Sequence, residues 1–245
     1  MATRAAPVRR MAGEHIFYSG MAIAMVLVLI AGFLPSYYAR GIVDAGHPLL
    51  PLSWLAHVHG LLFTVWMLLY LVQTLLAGSG RRDLHMKLGI LGFVMLPPMI
   101  VVALGVSIYG IARKSGPPIV PPESWYAIPI FAMLTFAVLI GWALAKRRDV
   151  QSHKRLMLMA MICMTGPGFG RMPWPAWVPG PVIIFGFSDL FLLALVSFDL
   201  ARQGQLHKAT IRGGAFLIAL QIAPIAVWQM EWWIGFARWS DGLVA

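Results

Sequence analysis

The sequence has little charge, and that shortage fixes the class of protein. Only 11% of the 245 residues are charged and 60% are hydrophobic, whereas a soluble domain is roughly a quarter charged. The mean hydropathy is +0.78. The composition therefore predicts an all-α integral membrane protein. No hydrophilic block is large enough to fold by itself, so residues 1–245 are expected to form a single polytopic membrane domain.

Cysteine and several catalytic motifs are also scarce or missing. The one cysteine, Cys163, lies in the apolar run LMLMAMICM, so a disulfide framework or a CxxC redox or metal motif has no basis. The motifs HExxH, GxSxG and GKS are absent, which argues against metalloprotease, serine hydrolase and P-loop chemistry. Retinal photochemistry needs a lysine in the middle of a span, and the last two apolar segments have none.

Seven segments are apolar and long enough to cross a bilayer, which takes about 20 residues of helix. They cover residues 16–38, 53–78, 86–110, 125–145, 155–171, 180–201 and 213–236.

Basic residues are concentrated in alternate connections between these segments. The N-terminal segment and residues 78–87, 146–155 and 202–212 hold 14 of the 19 lysines and arginines. The positive-inside rule then predicts a cytoplasmic N-terminus, an external C-terminus and seven helices in a bacterial inner (plasma) membrane. The net charge of +10 is explained by topology and by attraction to anionic lipid, so nucleic-acid binding has no support.

Three histidines recur at one predicted depth. The segment RRDLHMKLG contains His85, and the similar segment RRDVQSHKRLM contains His153. A fainter copy, QLHKATIRGG, contains His207. Each begins a helix that runs outward from the basic side. Imidazoles at one depth on neighbouring helices can ligate a heme iron or a transition metal ion. The alternative is that all three are ordinary interfacial anchors.

The stretch AHVHGLLFTVWMLLYLVQ carries two more histidines. His57 and His59 are about 200° apart around a helix, so they cannot point into one site. His59 shares its face with Trp66, Tyr70 and Gln73. That face is predicted to point into the bundle, and His57 is predicted to reach the outer headgroups.

Other polar residues in the apolar segments suggest a second site. Asp189 lies halfway along the sixth segment, where a carboxylate is costly unless paired, and His59 or Arg171 is its expected partner. The predicted quinol or proton site comprises His59, Trp66, Tyr70, Asp189, Arg171 and Glu231. The alternative for Asp189 is a buried ion pair that fixes helix packing. Asp199 is three residues before Arg202, and a pair at the helix end accounts for it.

The order of these motifs carries a resemblance. GFLPSYY, HVHGLLFTVWMLLYLVQ, RRDLHMKLG and SHKRLML together resemble a family of uncharacterised bacterial multi-helix membrane proteins, over about the first two-thirds of the chain. Within it, the histidine layout is similar to that of heme-binding diheme cytochrome b cores. That resemblance implies a ligand pair formed by His85 and His153, and it favours them over His207.

Three functions follow from these observations. The first is a membrane redox protein that binds heme b or a metal ion through histidines at helix ends and exchanges electrons with a quinol. The second is a non-catalytic subunit that packs against a larger membrane complex. The third is a proton-coupled small-molecule transporter that uses Asp189 and His59.

Overall fold

The computed structural model describes residues 6–46 and 48–243, and helices dominate this part of the chain. The helices are α1 (Ala6–Phe33), α2 (Trp54–Gly78), α3 (Arg82–Ala112), α4 (Pro122–Trp125), α5 (Ala127–Ala145), α6 (Val150–Phe169), α7 (Phe187–Gln203), α8 (Lys208–Val227) and α9 (Glu231–Asp241). Short π-helical turns at Leu34–Tyr38 and Val182–Gly186 extend α1 and lead into α7. The prediction of an all-helical membrane-type chain is confirmed.

Six helical segments in the described residues are long and apolar enough to cross a membrane. They correspond to six of the seven predicted segments and contain α1, α2, α3, α5, α7 and α8. Most of the predicted fifth segment, residues 155–171, is helical as well and lies in α6, which ends at Phe169. The first turns of α6 are too polar for a span defined by composition alone.

Helix α6 lies at the centre of the bundle, which explains why it tolerates polar residues. It packs against α1, α5, α7 and α8. Five consecutive residues, Leu158 to Ile162, are completely buried. Because five residues at 100° each go more than once around a helix, protein surrounds this stretch on every side. Because protein surrounds this stretch, its side chains contact neighbouring helices and do not have to face lipid.

Close backbone contact holds α1 against α6. A Cβ atom placed on Gly32 would lie 2.1 Å from the carbonyl oxygen of Gly168, so no side chain fits there. Small residues at a helix crossing let backbones approach closely, as is common in membrane bundles.

The predicted seventh segment, residues 213–236, consists of two helices. Helix α8 ends at Val227, three residues after Pro224, and α9 begins at Glu231. The 11 residues of α9 are too few to span a bilayer. Helix α9 packs instead against α3 and α4, where the indole Nε1 of Trp233 donates a 2.9 Å hydrogen bond to the carbonyl oxygen of Glu123.

The antiparallel order of the helices gives the bundle two chemically different ends. The basic end contains the connections 79–81, 146–149 and 204–207 together with the start of α1. The proline-rich end contains residues 39–46, 48–53, 113–121 and 170–181 together with α9.

Candidate functional site: a histidine pair at the basic end

Two of the three predicted ligand histidines meet at the basic end. The ring centroids of His85, on α3, and His153, on α6, are 6.4 Å apart, and the ring planes are nearly perpendicular at 85°. Both side chains are half-buried. The two histidines are 68 positions apart in the sequence, so their meeting is a product of the tertiary fold.

Each of these imidazoles is oriented by a backbone carbonyl group. His85 Nδ1 lies 3.3 Å from the carbonyl oxygen of Gln73, and His153 Nδ1 lies 2.8 Å from that of Ala143. Carbonyl oxygens only accept hydrogen bonds, so each Nδ1 carries the proton. Nε2 then keeps its lone pair in both rings, which is the tautomer that binds metals.

The spacing of the rings suits one shared metal ion. Two imidazoles whose Nε2 atoms each lie about 2 Å from one ion place their ring centroids roughly 6 Å apart. No group of three or more histidine, cysteine, aspartate or glutamate side chains in the described residues is arranged to hold a metal. A structural zinc ion takes four protein ligands, whereas a heme iron takes only axial ligands from the protein. Two imidazoles match the number of ligands that a heme iron can take from a protein.

The third predicted ligand, His207, has a different position and contact. It is the N-cap of α8, and its Nδ1 accepts a 3.1 Å hydrogen bond from the backbone N–H of Ala209. Burial lowers the pKa of His207, and the positive charge of Arg155 lowers it further, so the neutral ring that can accept this bond is favoured. The structure thus brings together His85 and His153 and gives His207 a capping contact.

A buried ion pair lies close to His153 in the sequence and fixes the start of α6. The side chains of Arg155 and Asp199 are both completely buried, and Arg155 Nη2 lies 2.5 Å from Asp199 Oδ1. Asp199 Oδ2 also accepts hydrogen bonds from the Thr210 hydroxyl at 2.5 Å and from the His207 backbone N–H at 3.2 Å. The prediction that Asp199 pairs with Arg202 is wrong about the partner. Helix α6 brings Arg155 to the Asp199 carboxylate instead.

Further contacts anchor the same turn of α6. Lys154 Nζ lies 2.6 Å from Glu14 Oε2 on α1. The side chain of Asp149 caps α6 by accepting bonds from the backbone N–H of Ser152 at 3.2 Å and from its hydroxyl at 2.6 Å. These hydrogen bonds from Ser152 lower the pKa of Asp149. His153 is therefore carried by a turn that is held to α1, α7 and α8.

The prediction that the His59 face of α2 points inward is confirmed. Trp66 and Tyr70 are buried, at 4% and 6% exposure, and His57 is exposed. His59 stacks on Phe63 with ring centroids 4.2 Å apart. The indole of Trp66 meets the ring of Phe136 on α5 edge to face at 5.3 Å.

The remaining residues of the predicted quinol or proton site make contacts other than the predicted pairing with His59. The carboxylate of Asp189, on α7, accepts a 3.0 Å hydrogen bond from Gln221 Nε2 on α8, instead of pairing with His59 or Arg171. Arg171 lies over the ring of Phe33 at 4.3 Å and donates a hydrogen bond to the Pro167 carbonyl oxygen. Glu231 is exposed at the start of α9.

Comparison with known proteins gives no relative from which to transfer a role. No protein-family model matches the chain, and no curated protein or solved structure matches it either. The resemblance to multi-helix membrane proteins and to diheme cores therefore stays a prediction, and function has to be inferred from the geometry of the site.

Proposed function

We propose that the protein is a membrane redox protein that binds one heme b through His85 and His153. The proposal rests on two imidazoles whose ring centroids are 6.4 Å apart. In each ring, Nδ1 is hydrogen-bonded to a backbone carbonyl oxygen. A bound heme would supply one-electron transfer at a potential set by its ligands and surroundings. The protein would hold and orient the two ligands.

The buried charges at the basic end have a positioning role in this proposal. Arg155 lies two residues after His153, and its guanidinium group is fixed by Asp199 and by Gln151, whose Oε1 lies 2.6 Å from Arg155 Nη1. This network keeps the first turn of α6 in place and so holds the His153 ring opposite His85. The quinol predicted from the sequence stays a prediction as electron partner.

The proposal also includes an orientation. We place the basic end at the cytoplasmic face of a bacterial inner membrane, with α6 as a seventh crossing and α9 on the outer side. The distribution of lysine and arginine supports this placement. The complete burial of Leu158 to Ile162 supports counting α6 as a crossing, because a stretch enclosed by protein does not need a lipid-facing surface.

Optical spectroscopy of the purified protein tests heme binding. Protein expressed in heme-replete cells should contain one heme b per chain and show a Soret band that sharpens and shifts on reduction with dithionite. Metal analysis of the same sample should give one iron per chain and no stoichiometric zinc or copper. A colourless protein with stoichiometric zinc or copper, or with no metal at all, would contradict the proposal.

Electron paramagnetic resonance tests the ligand geometry. The ring planes are 85° apart, and nearly perpendicular imidazoles produce a strongly anisotropic low-spin ferric signal, whereas parallel imidazoles produce an ordinary rhombic one. We expect the anisotropic signal. A high-spin signal would contradict ligation by both histidines.

A further inference from the structure

Buried polar atoms without a partner recur along one helix face. Six buried side-chain oxygen or nitrogen atoms find no hydrogen-bond partner within the described residues, and three of them belong to α2. These three are His59 Nδ1, Trp66 Nε1 and Gln73 Oε1. A buried polar atom without a hydrogen bond costs about 1–3 kcal/mol, so three on one helix call for an explanation.

The three residues are spaced by seven positions and therefore form one line. Seven residues turn a helix through 700°, within 20° of two full turns, and rise about 10 Å. The line starts near the proline-rich end at His59, passes Trp66 and reaches Gln73, five residues before α2 ends at Gly78. It runs along the inward face of α2.

Two glycines of α3 lie beside Trp66 and Gln73 in this line. A Cβ atom on Gly92 would lie 3.7 Å from the Trp66 ring, and one on Gly89 would lie 3.4 Å from Gln73 Nε2. Because α3 has no side chains at these two positions, it does not contribute a polar partner there. The three unpartnered atoms on α2 include both donors and acceptors, so a small molecule that both donates and accepts hydrogen bonds suits them.

The line ends at the histidine pair. The carbonyl oxygen of Gln73 is the group that accepts the hydrogen bond from His85 Nδ1. One residue therefore contributes its side chain to the line and its backbone to the candidate heme ligand.

We infer that the inward face of α2 lines a water-filled proton path between the proline-rich end and the histidine pair. Water suits the site because it donates to His59 Nδ1 or Gln73 Oε1 and accepts from Trp66 Nε1. About three waters at hydrogen-bond spacing cover each rise of roughly 10 Å. A proton moves when one O–H bond breaks and the next water forms one, so no oxidant or reductant is involved. The delivery of protons to a heme site rests on the proposed function, but the path itself does not.

Hydroxyl-radical labelling of the wild-type protein in lipid nanodiscs tests this path. Millisecond X-ray radiolysis splits bound water, and the radicals oxidise side chains beside that water even when bulk solvent is excluded. We expect Trp66 to be oxidised severalfold faster than Met161, which is completely buried and has an intrinsically reactive sulfur atom. Oxidation of Trp66 no faster than that of Met161 would show a dry face and overturn the inference.

Paired variants identify the source of the labelling. Replacing both His59 and Gln73 with leucine should reduce Trp66 oxidation severalfold, because the waters lose their polar partners. Gln221→Leu removes a glutamine between α7 and α8 and serves as the matched control, with Trp66 oxidation unchanged. If Trp66 oxidation stays at the wild-type rate in the double variant, the assignment of the path to this line is overturned.

The labelling result is independent of the optical result. A colourless protein in which Trp66 is labelled would remove the heme proposal and keep the path. A protein that binds heme but leaves Trp66 unlabelled would remove the path and keep the heme proposal.

Discussion

At the basic end a buried guanidinium group, Arg155, meets a buried carboxylate, Asp199, whereas the corresponding contacts at the proline-rich end are between aromatic rings and backbone carbonyl groups. Trp233 packs among Tyr126, Phe131 and Phe236 there, and its indole nitrogen donates to the carbonyl oxygen of Glu123. Buried charges are costly and are tolerated only where every oxygen and N–H has a partner. Aromatic contacts tolerate a wider range of geometries than a buried ion pair does.

The difference indicates which end requires precise positions. Directional bonds around Arg155 fix the first turn of α6, which carries His153. The proline-rich end contains no comparable buried ion pair within the described residues, and its ion pair of Arg238 with Glu123, at 3.7 Å, is largely exposed on the arginine side. In the proposed function, the basic end holds the redox site, and the proline-rich end is held together mainly by aromatic packing.

Removal of one partner of the buried ion pair should have the largest effect. Asp199→Leu leaves the Arg155 guanidinium buried without its counter-ion and should lower the free energy of unfolding by about 3–5 kcal/mol. The double variant with Arg155→Leu should recover most of that loss, because no charge is then left unpaired. Equilibrium unfolding in mixed detergent micelles measures both. A single variant that is as stable as the double variant would show that the pair does not control this end.

A smaller loss is expected at the proline-rich end. Trp233→Phe keeps the aromatic packing but removes the hydrogen bond to the Glu123 carbonyl oxygen, and should cost about 1 kcal/mol. Trp232→Phe, at a position that is 58% exposed, is the control and should leave stability unchanged. A loss for Trp233→Phe that matches the loss for Asp199→Leu would remove the contrast between the two ends.

The smallest effect is a pH dependence at the N-cap of α6. Hydrogen bonds from Ser152 lower the pKa of Asp149. Its contribution to stability is therefore present above the pKa of the unfolded chain and is lost as the pH falls through the lower folded pKa. Asp149→Asn keeps a capping side chain but has no carboxyl group to titrate. The melting temperature should fall more in acid for the wild type than for this variant, and identical acid profiles would contradict the assignment.

Much of the fold follows from local properties of the sequence. Apolar length predicts the helices, and the stripe of Trp66, Tyr70 and Gln73 on the His59 side of α2 correctly predicts which face is inside. The break between α8 and α9 is harder to predict, because aromatic and apolar side chains continue through IAVWQMEWW and Pro224 is tolerated inside α8. A proline in a membrane helix does not mark its end, because neighbouring helices can satisfy the freed carbonyl group.

Local sequence patterns do not predict which distant residues pair with each other. The sequence points out the carboxylates of Asp189 and Asp199, but their partners, Gln221 and Arg155, are 32 and 44 positions away. Only the arrangement of helices around α6 selects them. Arg155 lies in the basic run HKR, where its two neighbours suggest a solvated connection. It is nevertheless completely buried, as are Leu158 to Ile162 one turn later in α6.

Heme binding by His85 and His153 is the central claim, and the reduced-minus-oxidised absorption spectrum of the wild type and three single variants tests it most directly. The wild type and His57→Ala, which changes an exposed histidine at the other end, should show the same Soret and alpha bands. His85→Ala and His153→Ala should lose the low-spin spectrum while remaining folded by circular dichroism. An unchanged spectrum in both of these variants, or a wild-type protein without any heme spectrum, would contradict the account.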